Sequence, residues 1–186
     1  NTVMGGYAGY YNVTGIQNTH VGYFAGYGQS GQSNSNNTSL GYEAMYNVAT
    51  GADNVAVGSE AMFTVTSGFQ NVGVGRLSLK YITSGSNNTA LGFRALHNNT
   101  TGFANIAVGA DALLALTTGT YNTAVGAGGG AGTSLTTGNG NTFVGSYAGA
   151  GVTTGNANTF LGCNASGYGA GNAVTTGSRN TIIGAY

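Results

Sequence analysis

The chain has 186 residues, of which 36 are glycine and none is proline or tryptophan, and its four basic and four acidic side chains balance to zero. So sparse a charged surface is unlike that of an ordinary globular enzyme, and without a basic run there is no electrostatic footprint for nucleic acid or an anionic membrane. No apolar run approaches the roughly 20 residues of a membrane helix, and the single cysteine, Cys163, excludes an intrachain disulfide framework.

The phrase Asn-x-x-apolar-Gly occurs eleven times, at Asn1, Asn18, Asn37, Asn54, Asn71, Asn88, Asn105, Asn122, Asn141, Asn158 and Asn180. The steps between copies are 17, 19, 17, 17, 17, 17, 17, 19, 17 and 22 residues. A short fixed period whose every deviation is an insertion predicts an all-β parallel β-solenoid, a β-roll of about ten 17-residue coils forming one repeat domain over residues 1–186. Disordered chains of similar composition do not hold Val, Leu, Ile or Met at one register through eleven repeats. The chain opens and closes within the repeat, so it reads as an excerpt of a longer fibre protein.

Each asparagine is expected at a turn, with side-chain amides bonding up and down the rod. The first strand of each coil follows it, as in Thr2 to Met4 or Thr89 to Leu91. The fourth residue of every phrase is apolar: Met4, Val21, Leu40, Val57, Val74, Leu91, Val108, Val125, Val144, Leu161 and Ile183. Alternation puts this column on one face with the β-branched column two residues earlier, and that face is expected to point inward.

A second strand is expected at Val48-Ala49-Thr50, Val65-Thr66-Ser67, Ile82-Thr83-Ser84 and Leu116-Thr117-Thr118, each ended by a corner glycine. Between the two strands runs a stripe of Met45, Met62, Leu79, Leu96 and Leu113, replaced by Gly9, Gly26 and Gly149 toward the ends. The stripe is either a second core column or a subunit interface. One coil buries about two large apolar side chains, worth roughly 1.5 to 3 kcal/mol each, against about 1 to 2 kcal/mol of backbone entropy per ordered residue. A lone thin rod is therefore expected to lean on another surface.

Insertions fall at residues 26–36, 126–133 and 162–174, and they are rich in Gly, Ser, Asn and Tyr. Tyr23, Tyr27, Tyr147 and Tyr168 lie in or beside them and are the candidate receptor contacts, because aromatic rings with polar tips suit sugars and protein partners. Catalysis has little to work with, and the expectation is a protein that is not an enzyme and has no cofactor or metal. Glu43 and Glu60 share a column in adjacent coils, a spacing within reach of a retaining glycosidase pair. A charged outer ladder continuing through Arg94 and Asp111, with Arg76 and Lys80 nearby, is the favoured reading. Residues 126–132, Gly-Ala-Gly-Gly-Gly-Ala-Gly, lack the lysine and helix of a phosphate-binding loop.

Stretches such as Asn88-Thr-Ala-Leu-Gly-Phe-Arg-Ala-Leu and Asn105-Ile-Ala-Val-Gly-Ala-Asp-Ala-Leu-Leu-Ala-Leu-Thr-Thr-Gly resemble the head repeats of YadA-like trimeric autotransporter adhesins and related bacteriophage tail-fibre repeats. The resemblance covers essentially the whole chain. It implies a left-handed β-roll, a homotrimer, an extracellular place on a cell surface or virion, and attachment to a cell-surface glycan or protein receptor. The coils here are longer than those of the adhesin heads, and no stalk, membrane anchor or self-cleaving chaperone domain is present in the sequence. Two other functions fit the composition. An ice-binding solenoid would use the threonines Thr100, Thr117, Thr136, Thr153 and Thr175, and a self-assembling filament would complete its last coil with Asn1 of the next subunit.

Overall fold

The computed structural model describes residues 1–126, 128–163 and 169–184. Among these the chain forms thirteen short strands and no helix: β1 Thr2–Met4, β2 Thr19–Val21, β3 Thr38–Leu40, β4 Asn47–Val48, β5 Val55–Val57, β6 Thr64–Val65, β7 Val72–Val74, β8 Thr89–Leu91, β9 Ile106–Val108, β10 Thr123–Val125, β11 Thr142–Val144, β12 Thr159–Leu161 and β13 Thr181–Ile183. Eleven of them, one per asparagine phrase, stack in sequence order into one parallel sheet, leaving β4 and β6 as a second, two-stranded sheet. Equivalent positions pair throughout, for example Thr89 with Ile106 and Leu91 with Val108. This is a β-solenoid, as the period requires.

The second strand survives in regular form only at β4 and β6. Elsewhere that side of the coil is stitched by backbone amides converging on one carbonyl of the next coil, Thr83, Ser84 and Gly85 N–H donating to Thr100 O at 2.9, 3.2 and 3.2 Å and Thr100 N–H to Thr117 O at 2.9 Å. Among the described residues seven threonine hydroxyls add a parallel ladder, the Thr83 Oγ1 donating to Thr100 O at 3.0 Å and Thr100 to Thr117 at 3.1 Å, with Thr50, Thr66, Thr117, Thr136 and Thr153 doing the same.

The asparagine column is the seam of the rod. From Asn37 to Asn158 each Oδ1 accepts the next phrase asparagine's backbone N–H and its Nδ2–H, and each Nδ2 also donates to a glycine carbonyl across the coil. For Asn88 the Nδ2 distances are 3.0 Å to Asn71 Oδ1 and 2.8 Å to Gly102 O, and its Oδ1 receives two bonds of 3.0 Å from Asn105. From Asn37 to Asn158 these amides are fully buried, so the ladder satisfies groups that water does not reach.

The inward assignment of the phrase's fourth residue is overturned. Leu40 is 47% exposed, Val74 37% and Leu91 39%, and the β-branched column two residues earlier shares their outer face. What points inward is the middle residue of each strand, including Ser39, Ala56, Gly73, Ala90, Ala107 and Ala124. Alternation was applied correctly but to the wrong face: a three-residue strand sends one side chain in, and the narrow interior takes a small one wherever a large one enters from the opposite wall. That large one is the stripe Met45, Met62, Leu79, Leu96 and Leu113, which is wholly buried and therefore core. Val48, Val65, Ile82, Leu116, Leu135 and Val152 complete the interior.

Stripe residues adopt left-handed backbone, with φ 48° to 54°, a conformation more natural to glycine. Where glycine takes the position, the strand fills the space instead: Gly26 lies against His20, Gly149 against Phe143 and Gly171 against Phe160. The phrase's final glycine is needed twice over. Gly92 has φ 139°, and a Cβ there would stand 2.6 Å from the Gly109 carbonyl oxygen of the next coil.

The insertions fall at two corners of the coil. The first lies between Gly26 and Asn34, and Asn34 takes the place of a corner glycine by accepting the Asn18 Nδ2 bond. The other two lie between the phrase glycine and the stripe position, so that Gly132 stacks beside Leu113 and Gly149.

Candidate functional site

The outer face of the large sheet carries two files per strand. One is mostly threonine, with Val55, Val72 and Ile106; the other is entirely apolar. No charged residue occupies either file in any of the eleven strands. Leu40, Val74, Leu91, Ile106, Val125 and Leu161 are all exposed here. Among the described residues, none of the threonine hydroxyls of this file has a partner within the chain, in contrast to the hydroxyl ladder on the opposite wall. An in-register, uncharged, largely apolar face of this length is the most conspicuous surface of the molecule.

A second surface lies at the corner following the sheet in the first four coils. Tyr10, Tyr27, Tyr46 and Phe63 stand one per coil and stack with ring centroids 5.6, 5.0 and 5.1 Å apart and planes within 14° of parallel. Tyr7 stacks on Phe24 at 5.1 Å, and Tyr23 lies parallel to Tyr42 at 6.2 Å. Lys80 ends the column, with its ammonium 5.6 Å from the Phe63 centroid. Hydrogen bonding with Tyr11 pushes the Tyr27 phenol up to about 12, so its hydroxyl keeps its proton. The carboxylate of Glu43 likewise raises the Tyr42 phenol.

Beyond the aromatics the same corner becomes charged. Lys80 Nζ meets Glu60 Oε2 at 2.7 Å, and Arg94 grips Asp111 through two bonds of 2.7 and 2.9 Å. Glu60 is thus held by a lysine, while its column neighbour Glu43 interacts with Tyr42. Each of the two pairs joins neighbouring coils. Arg94 and Arg76 also lie 4.8 and 5.8 Å from the Phe93 centroid.

The candidate contact residues are not brought together. Tyr23 and Tyr27 belong to the aromatic arm, and both faces of Tyr27 are covered by its neighbours. Tyr147 lies seven coils away, roughly 34 Å at the usual strand spacing. There it is held as a wedge between two inserted segments, its ring against Gly129 and its backbone against Gly169. Tyr168 lies outside the described residues. Tyr10, Tyr46 and Phe63 were missed because the insertions drew attention to loops, although their recurrence at one position of successive coils was visible in the sequence.

His20 is a buried polar side chain of the interior that the sequence pattern leaves without a role. It is buried, its Nδ1 lies 2.7 Å from the Ser39 hydroxyl, and its Nε2 has no partner. Burial pushes its pKa down to about 4, so the ring is neutral in the folded protein.

No grouping of three or more His, Cys, Asp or Glu residues suited to a metal occurs among the described residues, and no described helix is long and apolar enough to cross a membrane. The architecture defines a β-solenoid repeat protein. No protein family, curated protein or solved structure matches the chain.

Proposed function

We propose that the protein is a non-enzymatic structural and adhesive segment of an extracellular fibre, a bacterial surface adhesin or a phage tail fibre, in which three copies pack side by side through the outer faces of their large sheets. The observation that carries this reading is the uncharged apolar file of Leu40, Val74, Leu91, Val125 and Leu161, exposed in the single chain and continuous along the rod. Burying such a file among parallel copies removes apolar surface from water at about 25 cal/mol per Å². The stripe Met45 to Leu113, being core, plays no part in assembly. Light scattering tests the assembly: the expected mass is three times 18.4 kDa. A Leu91→Lys, Val125→Lys variant is expected to give a folded single chain. A wild-type monomer at low micromolar concentration rejects the reading.

One observation favours a second reading. Among the described residues, the threonine file beside the apolar file leaves its hydroxyls without partners, a regular hydroxyl and methyl array of the kind that can order water. An ice-binding solenoid would use this face, whereas the threonines from Thr66 to Thr136 on the opposite wall spend their hydroxyls on backbone carbonyls. The two readings compete for one surface, and thermal hysteresis by a monomer would select the second.

A further inference from the structure

We propose that the aromatic arm of the first four coils binds a neutral polysaccharide laid along the rod axis. This names a ligand class for the attachment reading above and rests on it.

The rod itself supplies the control. At the position of Tyr10, Tyr27, Tyr46 and Phe63, later coils carry Leu114, Thr133, Ala150 and Asn172. Those coils stack through the same backbone bonds, Leu113 N–H to Ala131 O at 3.0 Å, Gly132 to Ala148 at 2.9 Å and Gly149 to Ala170 at 2.8 Å. Coil formation therefore does not require a ring there, and the aromatic run is surplus to the scaffold.

Geometry points to the ligand. Tyr27 and Tyr46 are covered on both ring faces, so they offer ring edges and phenol groups, suited to hydrogen bonding and not to stacking under a sugar. Tyr10, Tyr27 and Tyr46 repeat at 5.6 and 5.0 Å, close to the coil rise of about 4.8 Å. A polysaccharide also presents its hydroxyls periodically, on the scale of one sugar ring, so the same contact can recur coil after coil. A folded protein surface has no such repeat. The half-exposed Tyr23 and Tyr42 form a second rail beside the first.

Charge narrows the class. No Asp, Glu, Lys or Arg precedes Glu43, and Lys80 is occupied by Glu60, so an acidic chain would find no free cation on the arm. The stacked rings are already ordered, which reduces the rotamer entropy lost on binding.

Co-sedimentation with cellulose, β-mannan and chitin, against a polygalacturonate gel, tests the proposal. At least one neutral polymer is expected to retain the wild-type protein, and polygalacturonate is not. Tyr10→Ala, Tyr27→Ala, Tyr46→Ala is expected to weaken retention at least tenfold with circular dichroism and scattering mass unchanged. Should that variant misfold, Tyr10→Phe, Tyr27→Phe, Tyr46→Phe decides, since it keeps the stack and removes the hydroxyls, and the same loss is expected. Retention by none of the neutral polymers, or retention indifferent to both triple variants, overturns the proposal. So does loss of binding to immobilised gelatin in the variants when no polysaccharide is retained, which would assign the arm to a protein partner. A wild-type monomer that still binds a neutral polymer upholds the arm while rejecting the trimeric fibre.

Discussion

Phe143 occupies the space that Gly149 leaves open: a Cβ placed on Gly149 would stand 2.5 Å from two carbons of the Phe143 ring. In the coil of Ala90 and Leu96 the same two positions are reversed in size, with the small residue on the strand and the large one on the opposite wall. These coils admit one large side chain across the waist, from either side; the coil of Ala124 and Gly132 carries none at either position, and Leu113 and Phe143 of its neighbours close over Gly132. Gly149→Leu alone is expected to cost about 3 kcal/mol or more through overpacking. Phe143→Ala alone should cost about 3–5 kcal/mol. The double variant reproduces the Ala90 and Leu96 arrangement and is expected to lie within about 1.5 kcal/mol of wild type, as read from urea denaturation. Additive losses in the double variant would contradict this account.

The asparagine seam makes a second prediction. Asn88→Ala removes the acceptor of two Asn105 bonds and the donor to Gly102 O, all in a buried setting. Each orphaned group costs about 1–3 kcal/mol. The expected result is several kcal/mol of destabilisation, with hydrogen exchange accelerated first at the Asn105 amide. Asn88→Asp should be no better, because a carboxylate cannot donate to Asn71 or Gly102.

His20 sets an acid limit. Its folded pKa of about 4 lies below the ordinary value of 6.5, so below pH 6.5 the unfolded chain binds the proton more readily than the folded one. Stability from this residue is complete above about pH 6.5 and falls as the pH drops toward 4, by about 3 kcal/mol in all. Gly26 leaves room for a ring at this position, as Gly149 does for Phe143. His20→Phe is therefore expected to fold and to flatten the denaturation midpoint between pH 6.5 and 4. An unchanged slope in that variant would assign the acid sensitivity elsewhere.

Leu91 and Leu96 are five residues apart in one coil and face opposite ways, the first 39% exposed and the second fully buried. Leu96→Asp is expected to unfold neighbouring coils, because an unpaired charge is buried. Leu91→Asp is expected to leave the monomer fold and its melting within about 0.5 kcal/mol, while abolishing association. Circular dichroism and scattering mass together separate the two effects.

The coil count, the parallel stacking and the amide ladder were legible in the sequence, since each follows from Asn and Gly recurring at fixed spacing. The facing of the strand was not. Val74 and Leu79 are both large and apolar at fixed register, and hydrophobicity alone does not say which lies inside; the deciding clue was the size exchange between Ala90 with Leu96 and Phe143 with Gly149. Aromatic function was sought in the insertions, which led to Tyr147, a wedge between loops, and passed over the column through Tyr10 and Tyr46. The His20 environment depends on Ser39 in the next coil and on Gly26 in its own, a conjunction visible only once the coils are overlaid.

The amide seam also gives the rod a direction. From Asn54 to Asn158 each asparagine of the seam offers its backbone N–H and one Nδ2–H to the preceding coil and its oxygen to the following one, so reversing a coil would set donor against donor and lone pair against lone pair. Growth of the rod is therefore vectorial: a coil spliced in at any step finds a matching partner above and below only if it runs head to tail with the rest. A gene of this kind can lengthen its product by duplicating whole coils without redesigning either neighbour, and the reach of the rod becomes a matter of copy number.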